Sequence, residues 1–290
     1  MKIERLIYEN ERGEVIDFSS RSIFFTDSVT GLNDIRNEIY SFSSMGQDGE
    51  SYIGNRIKSR DIDITGRIRA TGKDEQLRCK RLLNHIINPH LSATLTYIYG
   101  DYVRVIDCKV ENSPTFSHKP IFTEFNISFV CLDPFWRNKH ESRDDIASWI
   151  GAFEFELEII EGGIELGYRE PSLIVNVCNS GDVKTGMRID FRATGTVSNP
   201  RLLNVDTLEF IAFNNLTLTT GDVLSVSTYY GKKDVALIRN GVKYNAFKYL
   251  DVDSTYLQLE LGDNLLRYEA QTNQDALEVS IYHNDRFLGV

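Results

Sequence analysis

The chain has 290 residues, 41% of them hydrophobic and 26% charged, so it is long enough for two globular domains with separate cores. Its six prolines argue against a chain dominated by disorder. Residues 1–140 hold 19 Lys and Arg against 19 Asp and Glu, whereas residues 141–290 hold 13 against 23. The net charge of −10 therefore lies in the second half, where an acidic surface would repel the phosphate backbone and argues against nucleic-acid binding.

A loop at residues 45–52 is the first notable element, because Gly and polar side chains of this kind are typical of a projecting or contact loop. An ordinary hairpin tip is the alternative interpretation. The candidate interface residues of this loop are Met45, Gln47, Asp48, Glu50 and Tyr52.

Two later segments of the first half alternate apolar and polar residues with a period of two, which predicts strands with one buried face. The expected buried residues are Ile62, Ile64, Gly66 and Ile68 in one strand and Phe125, Ile127, Phe129 and Cys131 in the other.

One segment between these strands has helical spacing instead, with apolar residues at Cys79, Leu82, Leu83, Ile86 and Ile87. Thr71 with Asp74 resembles a capping box before the stripe, and Asn88-Pro89 follows it as a stop signal. We expect a single long helix packed on the first sheet.

The polar run at residues 137–145 predicts a link between domains, with the boundary near residue 145 and domains at 1–145 and 146–290. Beyond it, short strands with turn signals between them predict an antiparallel sandwich. The expected buried faces are Phe153, Phe155, Leu157 and Ile159 in one strand and Met187, Ile189, Phe191 and Ala193 in another.

The cysteines Cys79, Cys108, Cys131 and Cys178 form no CxxC pair, so we expect free, mostly buried thiols, with no metal site and no cofactor. Met1 is followed by charged and polar residues, and no apolar run of about 18 residues occurs. The expectation is synthesis in a reducing cytoplasm without membrane insertion.

No nucleotide-binding loop, nucleophile elbow or HExxH motif occurs, and we expect surface or capping roles for the five histidines. Two carboxylate sets favour a carbohydrate-active enzyme as one alternative: Asp61 with Asp63, and the series Glu154, Glu156 and Glu158. Both sets occupy the polar face of a predicted strand, where solvation keeps carboxylates ordinary, so we assign no catalytic residue.

Two other features are candidate binding sites. Asp251 and Asp253 resemble the opening of a calcium loop, but the required Gly and Glu are missing, and a turn is the better interpretation. Tyr229 and Tyr230 could stack on sugars, which leaves a carbohydrate-binding protein as a second alternative.

The order of short motifs in the first half resembles the N-terminal domain of siphophage distal tail proteins. They are NERGE at 10–14, QDGESY at 47–52, RDIDITG at 60–66, NP at 88–89, NSP at 112–114 and CLDPFW at 131–136. The second half is similar to the C-terminal domain of the same family. Its motifs are NSGD at 179–182, NP at 199–200, TGD at 220–222, YGKK at 230–233, LGDN at 261–264 and RFLGV at 286–290.

This resemblance implies a mainly β protein. Its N-terminal domain would be a β-sandwich or split barrel with one helix and a projecting hairpin, forming a hexameric ring that continues the tail tube. A peripheral galectin-like β-sandwich would follow. No inserted carbohydrate-binding module of the kind found in larger relatives fits within this length.

The implied function is structural rather than enzymatic, at the tip of the virion tail. The implied partners are further copies of the chain, the tail tube protein, the tail-associated hub protein and receptor-binding proteins. The charge distribution agrees with a ring, because neutral domains can meet edge to edge while acidic ones stay apart in solvent.

Overall fold

The computed structural model describes residues 4–119, 122–146, 149–151, 167–169 and 173–290. The chain divides into two compact units, which we call the N-unit (Met1–Lys139 with Arg286–Val290) and the C-unit (His140–Asp285). The division precedes the expected boundary near residue 145, because the strand Ser142–Ile146 already pairs with Leu277–His283 of the C-unit. The chain therefore passes from one unit to the other twice.

Both units are mainly β, as expected. Every strand pair and every isolated bridge among the described residues is antiparallel. In chain order the elements are β1 (Glu4–Asn10), β2 (Val15–Ser19), β3 (Phe24–Thr30), β4 (Asn37–Phe42), β5 (Ser51–Ile57), β6 (Arg60–Ile68), α1 (Lys73–Ile86), β7 (Ala93–Tyr99), β8 (Tyr102–His118), β9 (Thr123–Cys131), β10 (Trp136–Arg137), β11 (Ser142–Ile146), β12 (Trp149–Gly151), β13 (Gly167–Arg169), β14 (Ile174–Asn179), β15 (Met187–Ala193), β16 (Val197–Asn204), β17 (Phe210–Ala212), β18 (Thr217–Leu218), β19 (Val223–Ser227), β20 (Asp234–Arg239), β21 (Val242–Asn245), β22 (Gly262–Thr272), β23 (Leu277–His283) and β24 (Arg286–Phe287).

The N-unit sheet has the order β2-β1-β7-β8-β9-β6-β3, and its end strands β2 and β3 contact each other. The long strand β8 pairs with β7 in its first half and with β9 in its second. Its register shifts between Val110 and Asn112 and again between Asn112 and Thr115, where Pro114 has no N–H to give to the ladder. The shared, bent strand lets the sheet curve around one core, as in the expected split barrel.

Period-two alternation decides which side chains form that core. Ile62, Ile64 and Ile68 of β6 are buried, and so are the four predicted residues of β9. Gly66 lies between them because a Cβ there would come within 2.5 Å of the Phe125 ring. The predicted buried faces of both strands are confirmed.

The predicted helix is α1, which buries Cys79, Leu83 and Ile86 and ends just before Asn88-Pro89. Leu82 is largely exposed, so the buried stripe is narrower than the sequence indicates. The predicted capping box with Asp74 is wrong: the N-cap is Gly72, and the backbone N–H and hydroxyl of Thr71 donate to Glu75 Oε2. In the described part of the chain, no helix is both long and apolar enough to cross a membrane.

The C-terminal tail completes the N-unit. Strand β24 pairs with β10, with Trp136 opposite Phe287. Beside it lies Arg60, which is 1% exposed and donates hydrogen bonds to four backbone carbonyls. These acceptors belong to Pro134, Gly31, Leu32 and Leu288.

The C-unit has two main sheets, β11-β23-β15-β19-β20-β21 and β14-β22-β16-β17, the latter with β18 beside β16, and β12 pairs with β13 in a separate two-stranded sheet. One hydrophobic core takes side chains from both sheets, including Phe191 and Ile281 from the first and Leu202 and Leu266 from the second. The predicted face of Met187, Ile189, Phe191 and Ala193 is buried, which confirms the antiparallel sandwich. The acidic strand expected around residues 153–159 lies outside the described residues.

Candidate interaction surface

Strands β4 and β5 form a separate two-stranded hairpin in the N-unit, outside the main sheet. Glu38 lies opposite Arg56 and Ile39 opposite Asn55, and the register shifts between Tyr40 and Ser41. An isolated two-stranded hairpin is marginally stable in water unless something packs against it. Contacts between side chains of the hairpin should therefore contribute to its stability.

A cluster of charged and polar side chains joins the two strands. Glu38 accepts hydrogen bonds from Arg56 Nε at 2.6 Å and from the Tyr40 hydroxyl at 3.0 Å, and it lies 2.9 Å from Lys58 Nζ. Lys58, Arg56 and Tyr40 together lower the pKa of the Glu38 carboxyl to about 2. The cluster adds side-chain contacts to the backbone pairing of β4 and β5, of whose described residues none is buried.

Apolar side chains on the same hairpin stay in solvent. Their exposure ranges from 43% for Tyr40 to full exposure for Met45. The set comprises Ile39, Tyr40, Phe42, Met45, Tyr52 and Ile53. Because such a concentration of exposed apolar side chains marks an interaction site more often than a free surface, this hairpin is the candidate interaction surface.

Four of the five interface residues proposed from sequence lie in the loop at the tip of this hairpin, and the fifth, Tyr52, lies in β5. Gly46 and Gly49 adopt positive φ angles of 82° and 81°, and the Gln47 N–H donates to the Ser44 carbonyl to close the turn. Gln47 and Tyr52 donate to Ser51 and Asn55, and Glu50 accepts from Ser41. Asp48 is exposed, and no hydrogen bond or ion pair within the described ranges engages its carboxylate.

Sequence reasoning selected the tip but missed the apolar residues of the two strands, chiefly Ile39, Phe42 and Ile53. Ile39 and Phe42 lie at positions of opposite parity in β4, and Tyr52 and Ile53 are adjacent in β5, so the period-two rule gives no signal for this strand pair. The sequence also could not show that the described residues of the chain leave the apolar side chains of this pair exposed.

The carboxylates considered for catalysis are engaged separately. Asp61 forms an ion pair with Arg36 at 2.6 Å, and Asp63 accepts a hydrogen bond from Ser128 at 2.6 Å. Both lie on the polar face of β6, as expected. The series Glu154, Glu156 and Glu158 lies outside the described residues.

The acidic pair considered for calcium also has a structural role. Asp251 accepts hydrogen bonds from the Asp253 N–H at 2.8 Å and from Asn214, which is the predicted turn. Cys79, Cys108 and Cys131 are buried and Cys178 is exposed, and all four are free thiols. Burial raises the pKa of the Cys131 thiol to about 12.

One histidine departs from the expected surface or capping role. His283 is 2% exposed, with Nε2 at 3.2 Å from Asp144 and Nδ1 at 3.3 Å from Asp285. His283 lies on the buried face of β23, together with Leu277, Val279 and Ile281. The period-two spacing of these four residues is visible in the sequence. Within the described ranges, no group of three or more His, Cys, Asp or Glu side chains is arranged to hold a metal ion.

Comparisons with known proteins agree with this architecture. Residues 180–287 match the family model of the siphovirus-type tail component, C-terminal domain. Residues 11–131 match the model of the phage tail protein RIFT-related domain. No curated protein matches the sequence significantly.

Solved structures show the same fold at low sequence identity. The crystal structure of the SPP1 Dit protein (gp 19.1), described as a paradigm of the hub adsorption apparatus in phages that infect Gram-positive bacteria, matches with a TM-score of 0.70 and 15% identity over 97% of this chain and 99% of that one. Chains of the phage P2 baseplate in its activated conformation match with TM-scores of 0.58 for the calcium form and 0.56 for the strontium form. In both, the identity is 12% over 99% of this chain and 100% of the other.

The fold and the two family models define a component of the siphovirus-type phage tail. More particularly, the chain belongs to the siphophage distal tail protein family.

Proposed function

We propose that six copies of this chain form a ring that joins the end of the tail tube to the hub and the host-adsorption apparatus. The N-units form the ring and the C-units lie at its periphery. In this role the protein acts by interface area and symmetry and catalyses no reaction. Its partners are the tail tube protein, the tail-associated hub protein and receptor-binding proteins, and it is made in the host cytoplasm before assembly.

The observation that carries this proposal is the β4–β5 hairpin with its exposed apolar side chains. Burial of apolar surface contributes roughly 25 cal/mol per Å², so a partner surface that covered Ile39, Phe42 and Ile53 would stabilise both the hairpin and the contact. A neighbouring copy supplies such a surface in a closed ring, where a contact between two different patches repeats until the rotation closes.

The distribution of charge over the two units supports the same arrangement. The N-unit holds 20 Lys and Arg against 19 Asp and Glu, whereas the C-unit holds 12 against 23. Nearly neutral units can approach one another without strong repulsion, while units with a net charge of −11 favour separation in solvent.

Light scattering across a concentration series, with class averages of negatively stained particles, tests the ring. We expect a closed particle with a mass near six times 33.2 kDa and six-fold averages. Open filaments, or a closed particle of another symmetry, would contradict it. If the chain alone stays monomeric, averages of tail tips from assembled virions decide the copy number.

A further inference from the structure

The N-unit contains a cavity of about 400 Å³ near the end of β6, within the size range of binding pockets. We call it the Arg–Phe cavity. It is lined by Phe25, Arg67, Ile68, Arg69, Ala70, Thr71 and Phe122. None of these lining residues belongs to the β4–β5 hairpin, and neither Asp61 nor Asp63 of β6 is among them.

The two arginines of the Arg–Phe cavity differ in their charge balance. Arg67 is held by both oxygens of Asp27, with Nε at 2.9 and 2.8 Å, and its charge is compensated. Arg69 stacks on the Phe25 ring at 4.0 Å and donates to the Ser20 carbonyl at 2.9 Å. Within the described residues, no carboxylate pairs with Arg69, so it contributes an uncompensated positive charge.

The walls of the cavity are aromatic. The Arg67 guanidinium lies 5.4 Å from the Phe25 centroid and 5.1 Å from the Phe122 centroid, so both rings are close to it. The Thr71 hydroxyl is already used, since it donates to Glu75. The cavity therefore suits a group with an apolar, polarisable part and a single carboxylate.

The tip of the β4–β5 hairpin has this chemistry. Met45 is fully exposed, and Asp48 carries a carboxylate that no described contact engages. Residues 42–55 include no Lys, Arg or His. A methionine sulfur binds well against aromatic rings, and a carboxylate forms a strong charge-assisted hydrogen bond with a guanidinium.

We propose that the hairpin tip of one copy occupies the Arg–Phe cavity of the next copy. Met45 lies against Phe25 and Phe122, and Asp48 pairs with Arg69. This inference rests on the proposed ring, which it deepens by naming the contact. Because the tip and the cavity are different surfaces, each copy offers one of each, and the contact can repeat around a closed ring.

Two charge reversals test the contact in the full-length chain. Asp48→Arg places like charges together at every contact, and so does Arg69→Glu. Each variant alone is expected to need at least about a tenfold higher concentration for half assembly, because like charges placed together across an interface are strongly unfavourable. Light scattering or sedimentation measures this concentration.

An equimolar mixture of the two variants distinguishes lost contact from lost folding. In the mixture, Asp48→Arg tips meet Arg69→Glu cavities, and the unchanged tips meet the unchanged cavities. Alternating copies therefore restore every contact in a ring with an even number of copies, and assembly should return to within about threefold of wild type. Arg78→Glu on α1 and Asp101→Arg in the turn before β8 are controls with the same charge changes at other exposed positions.

Each outcome supports or overturns the contact. A wild-type ring that persists in both single variants overturns the contact and leaves the ring proposal standing. Single variants that lose assembly but do not complement one another also overturn the pairing of Asp48 with Arg69. A wild-type chain that is monomeric throughout the series overturns this self-contact, while virion tail tips still decide the ring.

Discussion

The guanidinium of Arg60 donates a hydrogen bond to the backbone carbonyl of Leu288, a residue 228 positions further along the chain. Arg60 is buried, all of its hydrogen-bond acceptors among the described residues are carbonyl oxygens, and its burial lowers the pKa of the guanidinium. The guanidinium is held by these hydrogen bonds, with a smaller electrostatic contribution from Asp34. The three segments that supply the carbonyls are thereby fixed to one another.

Replacing Arg60 by Met should reduce the free energy of unfolding by about 3 kcal/mol or more, because each buried acceptor left without a donor costs about 1–3 kcal/mol. Urea unfolding measures the change. Arg5→Met is the control, since its ion pair with Asp17 is largely exposed and should matter by less than about 1 kcal/mol. A loss for Arg60→Met no larger than for the control would contradict the role assigned to Arg60.

Deleting residues 286–290 should loosen the N-unit and leave the C-unit sandwich unchanged. The deletion removes the pairing of Trp136 with Phe287, the Leu288 carbonyl and the hydrogen bond from Val290 to Asn33. Hydrogen exchange should accelerate at residues 31–33 and 134–137 but not at 187–193. The control is Leu288→Ala, which keeps the backbone carbonyl and should retain protection; equal exchange in the deletion and the full-length chain would count against a structural tail.

Gly31 should tolerate no side chain. A Cβ there would lie 1.9 Å from the Asp61 carbonyl oxygen, and its φ angle is +84°. Gly31→Ala should therefore cost more than about 2 kcal/mol, through both the clash and the backbone strain. Gly13→Ala isolates the strain, because Gly13 has φ +77° and open space around it, and should cost about 1 kcal/mol. Thermal unfolding of both variants measures the two losses of stability. Equal losses would contradict the clash assigned to Gly31.

Asp222 should make the C-unit sensitive to acid. Hydrogen bonds from Arg239 Nε at 2.9 Å and from the Thr219 N–H at 2.7 Å stabilise its carboxylate, and Arg239 chiefly lowers its pKa to about 2. Since the pKa is lowered on folding, this stabilisation is complete above the unfolded value of 3.8 and is lost as the pH falls towards 2.

Asp222→Asn should then reduce stability at pH 7 by about 1–2 kcal/mol, discounted because Arg239 is partly solvated. The variant should also lose less stability than wild type between pH 4 and pH 2. Urea unfolding at several pH values tests both points. Asp234→Asn, which breaks the exposed pair with Lys243, should show neither effect; parallel pH profiles for Asp222→Asn and wild type would exclude the assignment.

Glu38→Gln should loosen the hairpin locally. It removes the charge that joins Arg56 and Lys58, and no residue of β4 or β5 is buried by the described part of the chain. Amide exchange and proteolysis should increase within residues 37–57, while the melting temperature stays unchanged. Glu111→Gln on β8 is a control of the same chemistry. Unchanged exchange in the hairpin would show that the cluster does not order it.

Much of the fold was predictable because alternation and helical spacing depend on local backbone geometry. The strand that contains Ile62, the strand that contains Ile127 and the helix around Leu83 were all identified in this way. Arg60 and His283 lie at alternate positions with the buried residues of their strands, so the pattern alone predicts that both are buried. Sequence reasoning usually assigns charged and titratable side chains to the surface instead.

The sequence by itself determined the strands, the helix, the loop with Met45 and the concentration of negative charge in the second half, since each depends on residues close in the chain. Only the tertiary structure decided that the tail returns to Arg60, that the apolar hairpin stays uncovered and that Phe25, Arg69 and Phe122 surround one cavity. Those relationships join residues far apart in sequence, and no local pattern encodes the distance between them.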